Sequence, residues 1–271
     1  MRTKRTRLLP IVLLVLLVAA ASSGALVSAQ DGENPPPCST MPEETEEIET
    51  AYLYAEYNFT DADLGVHGKL NGDGWTELCV YDPNGELIVA FHAYAQVGNL
   101  GLSELFYEGS EPPLSEFSLD DLRAQFPEGE YTIRGLYTDG TGITGSALFT
   151  HNIPNPPEIT SPVIFEDEDE IEDEGVYPIA DMVIAWEPVT ESVFGDPVVI
   201  TAYEVIVTND DVEDPNANSQ PIYDVHVPPG VTSLTVPAEF FQPDTLYEVE
   251  VLAIEESGNQ TISLGFFETE E

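Results

Sequence analysis

Four oxygen-bearing side chains lie close together in the sequence and could bind calcium. They are Asp61 and Asp63 in one predicted loop, with Asn71 and Asp73 in the next. Calcium takes about six to eight oxygen ligands from carboxylates, amides and carbonyls on flexible loops. The spacing does not fit an EF-hand, because the third ligand of the loop and the distant glutamate are missing. The four residues are a candidate calcium site, and a chance grouping in an acid-rich chain is the alternative.

The other potential ligands form no recognisable metal motif. A second acidic group follows a later predicted strand and ranks no higher as a calcium site; it comprises Asp210, Asp211, Glu213 and Asp214. His67 and His92 lie on separate predicted strands and could meet across a sheet. Zinc needs three or four ligands, however, and the chain contains no HExxH or paired Cys-x-x-Cys motif. We interpret both as ordinary strand residues, and His151 and His226 as isolated.

Catalytic patterns are equally weak. Paired carboxylates can hydrolyse glycosides, but nearly every loop of this chain offers such a pair. No Gly-x-Ser-x-Gly elbow, phosphate-binding glycine-rich loop or Cys–His arrangement is present. Tyr52, Tyr54, Tyr94 and Tyr107 could form a sugar-stacking platform, although a division between core and ordinary surface is the simpler expectation. We therefore expect a non-catalytic protein with no cofactor except, at most, calcium.

The charge of the chain restricts its partners. Its 271 residues include 51 acidic and 7 basic side chains, for a formal net charge of −44. Beyond Ala29 the only lysine or arginine residues are Lys69, Arg123 and Arg134. Such a charge repels phosphate backbones and anionic lipid headgroups, so we expect neither nucleic-acid binding nor peripheral membrane binding. Cations are the favoured small partners, and a hydrophobic content of 42% still permits a core.

The first 29 residues are typical of a signal peptide. A basic start is followed by the apolar run from Leu8 to Ala21 and by small residues ending at Val27-Ser28-Ala29, which predicts cleavage after Ala29. A membrane anchor is the alternative, because the apolar region approaches the roughly 20 residues that span a bilayer. The absence of a following cationic stop-transfer cluster favours cleavage. We expect a secreted or periplasmic protein of a bacterium.

The two cysteines, Cys38 and Cys79, predict a disulfide in an exported chain. Such a bridge would fasten the start of the mature chain to the first domain. The alternative is one buried and one exposed free thiol.

Residues 30–153 divide into a leader and a predicted β-sandwich domain. Residues 30–47 are rich in proline and glutamate, which favours a flexible acidic leader. Residues 48–153 alternate in polarity as strands do, with one short helix near 118–126 that begins at Ser118. Turns are predicted at Asn71–Gly74, Asp82–Gly85 and Asp139–Gly142. The segments Gly72–Trp75 and Asp82–Gly85 resemble acidic secreted bacterial β-sandwich domains of unknown function, which implies no activity.

After a proline-rich link, residues 154–271 contain four short motifs in a fixed order. The strand-like motifs are Val183–Trp186, Ala202–Val207 and Ser233–Val236, and the last motif is Pro243–Val251. Together they resemble a fibronectin type III domain, an immunoglobulin-like β-sandwich. The resemblance implies a core that contains Trp186, Tyr203, Leu234 and Tyr247, with the Tyr247 hydroxyl bonded to nearby backbone. The acidic insertion 166–174 departs from that pattern.

These observations predict an all-β protein with two tandem β-sandwich domains after a cleaved signal peptide. The function they favour is binding of a protein or glycan partner at the cell envelope or outside the cell. Three alternatives stay open: an accessory hydrolase or lyase, a calcium-dependent carbohydrate-binding module, and a purely structural envelope protein.

Self-repulsion among the acidic residues predicts a salt-dependent stability. Added NaCl or CaCl₂ should raise the melting temperature, because screening weakens repulsion that opposes the compact state. Thermal melting at low salt and with each added salt measures the effect. An unchanged melting temperature would contradict the expectation.

Overall fold

The computed structural model describes residues 37–166, 168, 171–210 and 222–271, and strands dominate them. The predicted all-β class is confirmed. The predicted signal peptide with its cleavage after Ala29 lies outside the described residues, as do Asp211, Glu213 and Asp214. Within the described residues, no helix is long and apolar enough to span a membrane.

Residues 37–153, all of them described, form the first half of the molecule. Its strands are β1 (Thr45–Glu47), β2 (Thr50–Asn58), β3 (Asp63–Tyr81), β4 (Leu87–His92), β5 (Leu102–Tyr107), β6 (Gly129–Tyr137) and β7 (Gly142–Phe149). Its helices are α1 (Ala95–Leu100) and α2 (Leu119–Gln125). The predicted capping box opens α2, because the Ser118 hydroxyl accepts from the Asp121 N–H and the Asp121 carboxylate accepts from the Ser118 N–H.

Strand β3 is 19 residues long and pairs with four other strands of the first half. Its first part pairs with β2 and β5, and its last part pairs with β4 and β6. The pairing with β5 is irregular between Asn71 and Trp75, where β3 stops pairing with β2 and begins to pair with β6. The enclosed core includes Leu53, Leu64, Leu70, Trp75, Leu78, Ile133 and Ile143.

Three local expectations differ from the structure. The predicted turn at Asn71–Gly74 is an irregular part of β3, because glycines permit a bulge as readily as a turn. Residues Ala95–Leu100 form a helix that has no side-chain N-cap, so the sequence carries no start signal for it. The predicted flexible leader is ordered near its end, since β1 pairs in parallel with β7.

Two sheets packed face to face form the second half. Its strands are β8 (Ile159–Ser161), β9 (Val176–Tyr177), β10 (Met182–Trp186), β11 (Ile200–Asn209), β12 (Ile222–Val227), β13 (Ser233–Val236), β14 (Leu246–Glu255) and β15 (Gln260–Thr269), with 3₁₀ turns at Asp173–Gly175 and Ala238–Phe240. One sheet has the order β13-β10-β8, and the other includes β12-β11-β14-β15. This arrangement confirms the resemblance to a fibronectin type III domain.

The second core contains the aromatic residues expected of that domain. The rings of Trp186 and Tyr203 lie 5.3 Å apart, and both residues are buried. The Tyr247 ring is fully buried, and its hydroxyl accepts a hydrogen bond of 2.7 Å from the Gln242 N–H. Leu234 packs at the edge of this core and is partly buried. The backbone contact of Tyr247 is the one that the sequence predicts.

A parallel strand pairing joins the two halves into one 12-stranded sheet. Glu56 of β2 pairs with Gln260 of β15, and the register continues to Asn58 and Ile262. The buried Asn259 side chain reinforces this joint: its Oδ1 accepts from the Ala55 N–H at 2.8 Å, and its Nδ2 donates to the Thr150 carbonyl at 3.0 Å. The halves keep separate cores, and the predicted domain limits at residues 153 and 154 stay a prediction.

Cys38 and Cys79 form a disulfide, and both residues are buried. The bridge connects the segment before β1 to the last part of β3. It therefore holds the start of the described chain against the central strand of the first half.

Replacing Trp186 with alanine should lower the free energy of unfolding by about 3 to 5 kcal/mol, because the cavity beside Tyr203 cannot fully close. Chemical denaturation measures the change. Val183→Ala, on the same strand but 47% exposed, is the control and should have a small effect. Similar unfolding curves for the Trp186 variant and the wild type would show that the second core does not depend on this ring.

Candidate functional site

The two halves share one face of the joined sheet, the face directed away from both cores. Residues that pair across neighbouring strands point to the same side of a sheet. Successive pairs on this outer face are His226–Glu204, Glu204–Leu252, Gln260–Glu56, Tyr54–His67 and Lys69–Phe106. The outer face therefore carries ionisable and aromatic side chains from strands far apart in the sequence.

A groove of about 610 Å³ lies on this face where the halves meet, and we name it the outer groove. Its wall in the first half includes Tyr52, Tyr54, Lys69, Glu104 and Phe106, and its wall in the second half includes Glu204, His226, Glu255, Glu256 and Gln260. The Lys69 ammonium is 3.2 Å from the Glu104 carboxylate, and both side chains are about half exposed. Aromatic rings and a solvated ion pair thus face carboxylates across an open groove.

Glu56, His67 and Glu111 converge next to the groove and form what we name the buried triad. One ligand atom from each residue lies within 4.8 Å of the others. The His67 side chain is 2% exposed, and its ring stacks on Tyr54 at 5.4 Å with an interplanar angle of 19°. Gln260 donates a hydrogen bond to the Glu56 carboxylate. The triad therefore depends on β2 and β3 and on the joint with β15.

The loop after β5 brings Glu111 to the triad. The Leu114 N–H donates to the Ala62 carbonyl at 2.7 Å, which fixes the end of this loop beside the start of β3. Glu111 has a φ of 46°, in the left-handed region that non-glycine residues seldom adopt. Its Oε1 lies 3.2 Å from the His67 Nε2. A Cβ at Gly65 would lie 2.6 Å from that nitrogen, so the close approach requires glycine.

A second group on the outer face also contains two carboxylates and one imidazole, but it is more exposed. Ligand atoms of Glu204, Asp224 and His226 lie within 4.8 Å of one another. The His226 Nε2 is 3.1 Å from the Glu204 Oε1, although the His226 side chain is 61% exposed. The sequence interpretation of His226 as isolated is therefore wrong, since the pairing of β11 with β12 places Glu204 beside it.

Carboxyl groups on the outer face have raised pKa values. Burial raises the pKa of Glu111 to about 7, and the charges of Glu56 and Asp63 add to the effect. Burial also raises the pKa of Glu204 to about 7, against the opposing effect of His226. The pKa of Glu250, on β14, rises to about 8 through burial and the charge of Glu248. The outer face therefore disfavours the full ionisation of its acids.

The four predicted calcium ligands do not come together. Asp61 lies in the turn before β3 and hydrogen-bonds with Asn58, and Asp63 begins β3. Asn71 lies eight residues further along the same strand, roughly 26 Å away at 3.3 Å per residue. The four residues stay apart because the turn predicted at Asn71–Gly74 is part of strand β3. Calcium as a possible cofactor stays a prediction.

The histidines and tyrosines are also distributed differently from the predicted groupings. His67 and His92 do not meet, since His92 pairs with Glu77 at the far end of β3. Tyr94 lies against His92, and the Tyr107 ring covers Gly68. Of the suggested aromatic platform, Tyr52 and Tyr54 line the outer groove, together with Phe106, which the sequence did not single out.

A more apolar pocket of about 500 Å³ opens to solvent on the first half. Leu53, Val89, Phe117, Phe126 and Tyr131 are among its lining residues, and Glu111 also borders it. Glu111 therefore lies between this pocket and His67.

Among known proteins, the chain is similar to solved structures at low sequence identity. No protein-family model matches the chain, and no curated protein matches it. Solved fibronectin type III domains do match. The domain from human collagen alpha-1(XX) is 14% identical, covers 43% of this chain and 82% of its own, and has a TM-score of 0.28. A two-domain segment of chicken tenascin is 9% identical, with coverages of 83% and 99% and a TM-score of 0.29. The FN1-FN3 domains of chicken CNTN1 are 12% identical, with coverages of 85% and 69% and a TM-score of 0.32.

The raised pKa values predict that the protein becomes less stable as the pH rises from about 4.5 to about 8. A carboxyl group whose pKa is higher in the folded state contributes stability below its usual pKa, and this contribution is lost as the pH passes the folded value. Glu250→Gln should raise the melting temperature more at pH 8 than at pH 5, because the amide carries no charge. Melting curves across this range test the sign.

The control for this experiment is Glu187→Gln, because Glu187 is exposed and follows β10 in the opposite sheet. It should leave the pH dependence unchanged. An equal response of both variants would mean that general charge reduction, and not the position of Glu250, explains the result.

Proposed function

We propose that this chain is an exported, non-catalytic binding protein whose outer groove recognises a glycan. The observation that carries the proposal is the row of aromatic side chains that faces carboxylates across the groove. Sugar rings present C–H surfaces that pack on aromatic faces, and their hydroxyl groups donate to carboxylates.

The aromatic wall is accessible and regular. Tyr52 is 56% exposed and Phe106 is 51% exposed. Both pair with Lys69 on the intervening strand β3, so the two rings flank one ammonium group in a single row. Isolated exposed aromatic residues are common, but a row along the wall of a groove is a reason to expect a ligand.

Export is part of the proposal. A signal-peptide pattern precedes the described residues, and the Cys38–Cys79 disulfide suits an oxidising compartment. The net charge of −44 also suits a cationic protein segment as the partner, because the second wall contains Glu204, Glu255 and Glu256.

An accessory glycan hydrolase or lyase is the second candidate function. The observation that favours it is the raised pKa of Glu204, since a carboxyl group that is protonated near neutral pH can act as a general acid. Glu204 and Glu56 lie close enough for the Glu56 charge to contribute to that shift. Both candidates use the same groove, but only the enzyme would release products.

A glycan array, probed with calcium present, tests the proposal, and titration of a positive glycan then gives the affinity. The double variant Tyr52→Ala/Phe106→Ala should bind at least about tenfold more weakly, equivalent to roughly 1.4 kcal/mol. Tyr94→Ala is the matched control, because Tyr94 is 68% exposed but does not line the groove.

Three outcomes would contradict the proposal in different ways. Equal binding by the double variant and the wild type would show that the aromatic wall does not contact the glycan. Binding of a lysine-rich peptide but of no glycan would favour the cationic protein partner. Release of shorter glycans by the wild type, lost with Glu204→Gln, would support the hydrolase or lyase.

A further inference from the structure

We propose that Glu56, His67 and Glu111 form a binding site for a zinc ion beside the outer groove. This inference is independent of the glycan, because it concerns the buried triad and not the aromatic wall. It rests on a buried imidazole nitrogen without a hydrogen-bond partner and on two carboxylates that converge on it.

The first observation is the state of His67. Its side chain is 2% exposed, and among the described residues no hydrogen-bond partner satisfies its Nε2. The nearest acceptor, Glu111 Oε1, is 3.2 Å away but lies outside hydrogen-bonding geometry. A buried polar atom without a partner costs about 1 to 3 kcal/mol, so such atoms are uncommon in folded proteins. Coordination of a metal ion would satisfy this nitrogen.

The second observation is the convergence of negative charge on the same point. Glu56 and Glu111 each direct a carboxylate oxygen to within 4.8 Å of the His67 nitrogen and of each other. In the described part of the chain, no lysine or arginine forms an ion pair with either carboxylate. Lys69, two residues from His67, pairs with Glu104 instead. A divalent cation between the two carboxylates would replace repulsion by attraction.

The donor set favours zinc over calcium. One imidazole nitrogen with two carboxylate oxygens suits zinc, whereas calcium binds oxygen ligands only. Zinc sites with three protein ligands leave a fourth position for water or a ligand. With metal–ligand distances of about 2 Å, tetrahedral ligands lie roughly 3.3 Å apart. The His67 Nε2 and the Glu111 Oε1, 3.2 Å apart, already have this spacing.

The surroundings hold the ligands in place. A Cβ at Gly65 would lie 2.6 Å from the His67 Nε2 and 2.8 Å from the Glu111 Cγ, so this glycine allows both side chains to approach the strand. Tyr54 stacks on the imidazole, and Gln260 donates to Glu56, so two ligands have fixed partners. The Glu111 side chain is 26% exposed, which gives an ion a route from solvent.

The exposed group of Glu204, Asp224 and His226 provides an internal comparison. It has the same donor types within the same 4.8 Å, but its histidine is 61% exposed and lies 3.1 Å from Glu204. Water can hydrogen-bond to the His226 imidazole, so its nitrogens do not require a metal ion as a partner. The proposal assigns zinc to the buried triad alone.

Titration of the full chain with ZnCl₂ in a buffer with excess CaCl₂ tests this assignment, since the calcium is there to compete with zinc for exposed carboxylates. The wild type should bind one zinc ion saturably. Glu111→Gln should weaken binding at least about tenfold, the lower end of losses that follow removal of a group supporting a metal site. The same variant should melt at an equal or higher temperature without metal, because the amide removes repulsion from Glu56.

His67→Gln should weaken zinc binding similarly, and Glu111→Gln decides the question if the buried histidine variant does not fold. His92→Gln is the matched control, because His92 also lies beside a glutamate, at 3.5 Å from Glu77, and should bind zinc normally. Absence of saturable zinc binding by the wild type would overturn the proposal. Undiminished binding by Glu111→Gln, or loss only with His226→Gln, would also overturn it.

Discussion

The short parallel pairing between β2 and β15 is the constraint on which the outer groove and the buried triad depend. It places Glu56 of the first half beside Gln260 of the second. The buried Asn259 side chain adds hydrogen bonds to the backbone of Ala55 and of Thr150. Without this joint, the outer surfaces of the two sandwiches would be separate, and no wall would stand opposite Tyr52 and Tyr54. The joint therefore places the outer faces of the two halves side by side, with the outer groove between them.

The same joint brings several carboxylates together at partly buried positions. An acidic protein would be expected to spread its acids over solvated loops, where repulsion is screened. Here Glu56, Glu204 and Glu250 lie on one sheet face, and a loop brings Glu111 against it. Burial is the largest cause of the raised pKa of Glu111, Glu204 and Glu250. Their arrangement costs stability at neutral pH. A ligand that supplies positive charge or hydrogen-bond donors would recover part of that cost.

The sequence predicts features whose signals are local. Ser118 and Asp121 are three residues apart and form the expected capping box, and Trp186 and Tyr247 occupy the core positions that the fibronectin type III resemblance implies. The two cysteines leave only one pairing to consider. Each of these inferences needs only the residues of one segment or one pair.

Features that depend on distant segments could not be predicted in this way. Glu56 and Gln260 are separated by 204 residues, and alternation places Tyr54 and Glu56 on one face without indicating what lies opposite. Glu111 belongs to a loop without periodicity. The glycines at 72 and 74 misled the prediction, because they are compatible both with a turn and with an irregular strand.

The Cys38–Cys79 disulfide has a mechanical consequence. It closes a covalent loop across a sequence separation of 41 residues, and that loop contains β1, β2 and most of β3. Tension applied at the start of the described chain would pass through the disulfide from Cys38 to Cys79. The backbone between the two cysteines would therefore not be stretched along its length. The strand that joins the halves is thereby shielded from extension by pulling until the bridge is reduced.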